Sequence, residues 1–173
     1  MVEMSVESVR VNLATSQRVV ILKDGQGDRY LFIWIATAEA YSIAMELQGN
    51  SALRPLTHDL LKSVIAELGA TVVSVVINDL SDDIFYARVN LKLGDRQIEV
   101  DSRPSDAIAL AVRAKAPIFV AESVLEHAGV TLQDTSADDT GKPGIPTGEA
   151  YNLDVYRDFI NSLDALDEFG KSE

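Results

Sequence analysis

The sequence predicts an α+β fold, a mainly antiparallel mixed sheet with helices packed on it. Three observations carry this expectation. Alternating and β-branched runs come in neighbouring pairs joined by short polar turns, as hairpins do. The elements read β-β-β-α-α-β-β-β-α-β-α, which is not the regular alternation of a parallel α/β sheet. The 173 residues are 47% apolar, enough for one real core.

Taken in order, residues 2–13 alternate (Val2, Met4, Val6, Val9, Val11, Leu13) with a break near Ser8, which predicts a strand with a bulge. Arg18 to Lys23 and Tyr30 to Ile35 flank the turn Asp24-Gly25-Gln26-Gly27-Asp28, a second hairpin signal. Thr37 is placed to cap a helix running to about Gln48, with Ile43, Ala44 and Leu47 on its apolar side and Gly49-Asn50 ending it. Thr57 is placed to cap the next helix. Leu60, Leu61, Val64, Ile65 and Leu68 give that helix a stripe expected to be buried, and Gly69 stops it. Strands over 71–79 and 84–93, joined at Ser81-Asp82-Asp83, lead through Gly94-Asp95 to a strand over 97–100. A helix from Ser102 to Ala116, a short strand over 117–120 and a short helix from Glu122 to Ala128 follow.

The chain divides by composition into a domain over 1–130, a flexible acidic linker over 131–150, and a C-terminal amphipathic helix and tail over 151–173. In the last part Leu153, Tyr156, Phe159, Ile160, Leu163 and Leu166 recur at spacings of three and four. Net charge is −12, of which residues 131–173 contribute −7 with 3 Lys+Arg against 10 Asp+Glu. The chain does not advertise a global basic face for nucleic acid, and any phosphate contact is expected to be local or through bound cations. The absence of cysteine excludes disulfides, thiolate zinc sites and a cysteine nucleophile. The N-terminus is too acidic for a signal peptide, and no apolar run approaches the ~20 residues of a membrane span. A soluble, cytoplasmic protein is expected, without membrane association. A homo-oligomer, by default a dimer, is the expected state.

Two strand-to-helix or loop-to-helix junctions hold most of the candidate chemistry. One is Arg54-Pro55-Leu56-Thr57-His58-Asp59. The other is Asp101-Ser102-Arg103-Pro104-Ser105-Asp106. Acidic first-turn residues also suit the helix dipole, and an Arg–Asp network can simply fix a turn, so structural roles stand beside chemical ones. The segments YLFIWIATAEAYSIAMELQG, RPLTHDLL, VVINDL with FYARV, and VDSRPSDAIALAVRAKAPIFVAESVLEHAG resemble the bacterial bifunctional nuclease domain family over roughly residues 3–130. That family has also been described as a conserved domain of unknown function. Membership implies the α+β fold and nuclease action on RNA and DNA, an assignment carried mainly from plant relatives. One departure is visible: family members commonly read Trp-Ile-Gly-Pro where this chain reads Trp34-Ile35-Ala36-Thr37.

Hydrolysis of a phosphodiester needs an activated water, charge stabilisation at phosphorus and a protonated leaving group. With the resemblance in view, Asp59, Asp101 and Asp106 are the expected ligands of Mg²⁺ or Mn²⁺. His58 is the expected acid or base, and Arg54 and Arg103 the phosphate contacts. Ser105 and Glu39 are expected to bind substrate. His127 reads as a helix C-terminal residue, Asp79 as a turn residue and Trp34 as core. The alternative is a non-catalytic binding or regulatory module whose junctions hold an anionic ligand or a partner protein.

Overall fold

The computed structural model describes residues 1–12 and 16–131. The expected linker and C-terminal helix lie outside these residues, except for Thr131. Met1–Thr131 forms one compact unit. Its elements are β1 (Val2–Val11), β2 (Arg18–Asp24), β3 (Arg29–Ile35), α1 (Thr37–Leu47), α2 (Thr57–Glu67), β4 (Ala70–Ser81), β5 (Ile84–Leu93), β6 (Arg96–Ser102), α3 (Pro104–Ala114), β7 (Ile118–Val120), α4 (Glu122–Ala128) and β8 (Gly129–Thr131). The α+β expectation holds: eight strands form one sheet in the order β6-β5-β4-β7-β1-β2-β3-β8. Only β4 and β7 pair in parallel; every other neighbouring pair is antiparallel.

The local signals act as read. β1 carries a bulge between Val6 and Ser8. Asp82 and Asp83 both have positive φ, 49° and 62°, as a tight two-residue hairpin turn demands of short polar residues. Gly69, at φ +76°, ends α2 in the left-handed region that glycine enters without Cβ strain. Ala36 has φ −78°, so the missing glycine of the Trp-Ile-Gly-Pro pattern removes no conformation this backbone uses. β8 was not anticipated. Gly129 does end α4, and the chain then pairs three residues with β3.

The core is organised around α3. Ala107, Ile108, Ala109, Leu110 and Ala111 are all buried, against Val75 and Ile77 of β4, Ala87 and Val89 of β5, and Ile43 of α1. Small alanines let the helix axis sit close to the sheet, and Pro104 at its first turn loses no hydrogen bond that a helix start could have made.

Three expectations about the helices fail. Most of the α2 stripe is not buried: Leu60, Leu61, Val64 and Leu68 are 59%, 41%, 44% and 72% exposed, only Ile65 packs against the core, and His58 is the fully buried residue of that helix. Helical periodicity identifies an apolar face without saying that anything covers it. Leu47 of α1 is likewise exposed. Thr37 and Thr57 do not cap. They stand inside their helices, after Ala36 and Leu56, and α2 is instead closed by the Leu56 N–H donating to Asp59 Oδ2 at 2.8 Å.

Ile108→Ala is expected to destabilise the fold by about 2–4 kcal/mol, because the side chain is fully buried and its cavity cannot collapse against a sheet. Leu53→Ala, at a fully exposed loop residue, is expected to change stability by less than about 0.5 kcal/mol. Urea denaturation of the two variants checks both.

Candidate active site

The first turns of three helices meet. Glu39 comes from α1, His58 and Asp59 from α2, and Asp106 from α3, with Arg103 just before α3. Arg103 joins them. Its Nε donates to Asp106 Oδ2 at 2.7 Å, and its Nη2 donates to Glu39 Oε1 at 2.7 Å and Asp106 Oδ1 at 3.1 Å. His58 Nε2 lies 3.1 Å from Asp106 Oδ1, and its Nδ1 lies 2.9 Å from Ser42 Oγ. A carboxylate only accepts, so the neutral ring carries its proton on Nε2 and Nδ1 accepts from the Ser42 hydroxyl. Both ring nitrogens are therefore committed within the protein, and the ring itself is buried.

Behind this chain sits a second one. Arg113, 4% exposed, donates from Nε to Asp59 Oδ1 at 2.6 Å, from Nη2 to the Ser42 carbonyl at 3.0 Å, and from Nη1 to the Ala109 carbonyl at 2.9 Å. Lys62 of α2 donates to the Arg113 carbonyl at 2.6 Å. Neither Ser42 nor Arg113 was singled out from the sequence. Arg113 had a readable signal: a lone arginine in a helix that is apolar on nearly every side has to be buried and has to find a carboxylate. Ser42 had none.

The electrostatics follow from these contacts. Burial pushes the Asp106 carboxyl up, but the hydrogen bonds from Arg103 and His58 outweigh it and leave the group below its ordinary range. Asp59 behaves alike, with burial opposed by the Leu56 N–H and Arg113. Arg103 is raised by Asp106 and then by Glu39. One buried oxygen, Glu39 Oε2, has no hydrogen-bond partner.

Arg103, Asp106 and His58 border an open groove of about 610 Å³ between α2 and the β5–β6 end of the sheet. Its walls are largely aliphatic, with Leu61, Ile65, Val89, Leu91 and Val100, and its polar end includes Asp101. A larger open cavity of about 830 Å³ lies beside Asp24 and Arg29 and contains none of the sequence-predicted site residues. The groove is the better candidate because the charged chain opens on it.

Of the predicted site residues, the structure joins Glu39, His58, Arg103 and Asp106 in one chain of contacts and links Asp59 to Arg113. Ser105 is buried in the first turn of α3. Asp101 is exposed on the groove wall, whereas Arg54 is exposed in the loop before α2 and does not line the groove. As a site for Mg²⁺ or Mn²⁺ the donors do not fit: among the described residues no three His, Asp or Glu side chains converge as metal ligands do. Asp59 and Asp106 instead face arginines. His127 donates from Nδ1 one turn back to the Ser123 carbonyl, Asp79 lies in β4 before the turn, and Trp34 is half-buried.

Comparison with known proteins decides the family. The family model described as the bifunctional nuclease domain matches residues 20–133. The chain belongs to the bifunctional nuclease domain family. It is 40% identical over 161 residues to an uncharacterised protein of Mycobacterium tuberculosis, covering 93% of this chain and 94% of that one. It is also 39% identical over 118 residues to bifunctional nuclease 2 of Oryza sativa subsp. japonica, covering 66% of this chain and 36% of the rice protein. Bifunctional nuclease 2 of Arabidopsis thaliana is 28% identical over 130 residues, 72% of this chain and 39% of its own length. The plant nucleases are thus much longer than the part they share with this chain. Among the described residues, no helix is long and apolar enough to cross a membrane.

Two outcomes are expected. Asp59 and Asp106 are held below the ordinary carboxylate range, so the unfolded chain binds more protons than the folded one as pH falls. Their stabilisation is present above about pH 4 and lost below it, as a falling urea midpoint between pH 5 and pH 3 would show. Arg113→Ala is expected to cost about 3 kcal/mol at neutral pH, since the guanidinium holds two helices and its loss leaves Asp59 and the Ser42 carbonyl without that donor.

Proposed function

We propose that this protein hydrolyses phosphodiester bonds in RNA or DNA at the groove beside Arg103, Asp106 and His58. The observation that carries the reading is the side-chain relay from Ser42 through His58 to Asp106 and Arg103, opening on a groove in a member of a nuclease family. Arg103 is the exposed end of that relay, with 65% of its side chain accessible, and its planar fork matches the non-bridging oxygens of a phosphate. A phosphate drawing Arg103 away would also remove the cation that keeps Asp106 a weak base. Asp106 then accepts the proton of the attacking water, while His58, fixed from behind by Ser42, donates from Nε2 and holds the carboxylate in place. Substrate binding and activation of the base are in this way one event. The leaving oxygen departs toward solvent, where water reprotonates it. Asp101 lines the same end of the groove, and Glu39 holds Arg103 there. The strongly negative net charge confines phosphate contacts to this local point.

A second reading is a binding module for an anionic ligand, without chemistry. It is favoured by one observation, that every carboxylate of the relay already has an arginine partner.

The test is cleavage of labelled single-stranded RNA and DNA by the purified full chain, with Mg²⁺, with Mn²⁺ and with EDTA. Asp106→Asn and Arg103→Ala are each expected to lower the rate by roughly 100-fold or more, with the fold retained by circular dichroism. Cleavage that persists unchanged in both variants removes the site. Saturable binding of oligonucleotide with no cleavage in any metal condition favours the module.

A further inference from the structure

The ring of His58 is held from both sides. Ser42 Oγ meets Nδ1 at 2.9 Å, and Asp106 Oδ1 meets Nε2 at 3.1 Å. With the Ser42 hydroxyl donating to Nδ1, the Nε2 hydrogen is aimed at Asp106. Without that donor, Nδ1 is a buried acceptor left unpaired, and the ring is free to turn about its Cβ–Cγ bond. A turned ring takes its hydrogen off the Asp106 carboxylate.

Hydroxyl and ring belong to different helices, 16 positions apart along the chain. α1 and α2 both pack against α3. Arg113, buried near the end of α3, bonds each of them beside this contact. Its Nη2 donates to the carbonyl of Ser42 itself, at 3.0 Å. Its Nε donates to Asp59, the residue after His58, at 2.6 Å. Its Nη1 donates to the Ala109 carbonyl at 2.9 Å, so the fork cannot turn without breaking a bond to its own helix. A rigid planar group thus sets the spacing between the two partners of a hydrogen bond it does not itself join. A displacement of roughly half an ångström or more between those partners is enough to lose the bond.

We propose that Arg113 is a positioning residue for the reaction at the groove: it holds Ser42 and His58 at bonding distance and so keeps the His58 Nε2 hydrogen on Asp106. Its effect on turnover rests on the nuclease reading, whereas the state of the ring belongs to the folded chain alone. Arg113 does not line the groove and acts only through its neighbours. Its fork, rather than its charge, is what the role requires. A lysine supplies the same charge without the planar set of donors.

The chain has two histidines, His58 and His127, so nitrogen-15 NMR of the rings in the full chain gives a direct readout with an internal control. At about pH 8, above the ordinary titration range of imidazole, His58 of the unmodified chain is expected to be the Nε2–H tautomer. Ser42→Ala is expected to shift the Nδ1 signal away from its hydrogen-bonded position. Arg113→Lys is expected to shift it the same way, with the His127 signals unchanged. Arg113→Gln, which removes the buried charge and reaches one of the two partners at a time, is the second variant and is read alike. In the cleavage assay Arg113→Lys is expected to lower kcat on the order of 10-fold to 100-fold, with KM within about twofold. A purely structural Arg113 would lower thermal stability in these variants and leave the His58 signals in place, which overturns the proposal. So does an unmodified chain in which His58 carries its hydrogen on Nδ1. Absence of cleavage by the unmodified chain removes the nuclease reading, and the His58 signals then decide the positioning role by themselves.

Discussion

The buried guanidinium of Arg113 is the contact on which the site depends. It binds a carboxylate of α2, a carbonyl of α1 and a carbonyl of its own helix, and so fixes three elements with one planar group. Arginine suits this role because its five donors lie in a fixed fork and its charge is not lost on burial. The desolvation of such a cation is repaid only when its hydrogen bonds are made together. That condition favours one relative placement of the middle of α1, the start of α2 and the end of α3. Ser42 and His58 are brought to 2.9 Å as a consequence, since each neighbours a group Arg113 holds.

The arrangement also explains the division of labour between α3 and α2. α3 carries the apolar burial and is nearly enclosed by the sheet. α2 buries one histidine, packs Ile65 on the core and leaves Leu60, Leu61 and Val64 exposed. A helix with little core duty can serve as a groove wall, as Leu61 and Ile65 do. Polar attachment makes this possible because directed hydrogen bonds hold a helix at a defined angle with little buried area.

The electrostatics of the site are those of a closed circuit. Glu39, Asp106 and Asp59 face Arg103 and Arg113, and the histidine between them is satisfied on both nitrogens. A ligand that takes Nε or Nη2 of Arg103 acts by exchange, because those donors are held by Asp106 and Glu39. An acidic chain with a single exposed arginine at its groove thus selects for a phosphate placed at one point, rather than for a polyanion spread across a basic face.

The sequence by itself determined what depends on neighbours along the chain. Alternation set the strands, short polar or glycine turns set the hairpins at Asp82-Asp83 and Gly94-Asp95, and the bulge near Ser8 was visible as a break in period. His58, Arg103 and Asp106 could be named because helix starts are legible from proline, serine and acidic residues. Tertiary structure decided which of these meet. His58 and Asp106 lie 48 positions apart, and no local rule brings them within 3.1 Å. It also decided that Thr37 and Thr57 do not cap and that most of the α2 stripe, Ile65 apart, stays exposed, since periodicity gives the direction of a face but not its cover. Arg113 and Ser42 were silent for the same reason: their importance lies in long-range donors and acceptors, which exist only once three helices have been folded onto one sheet.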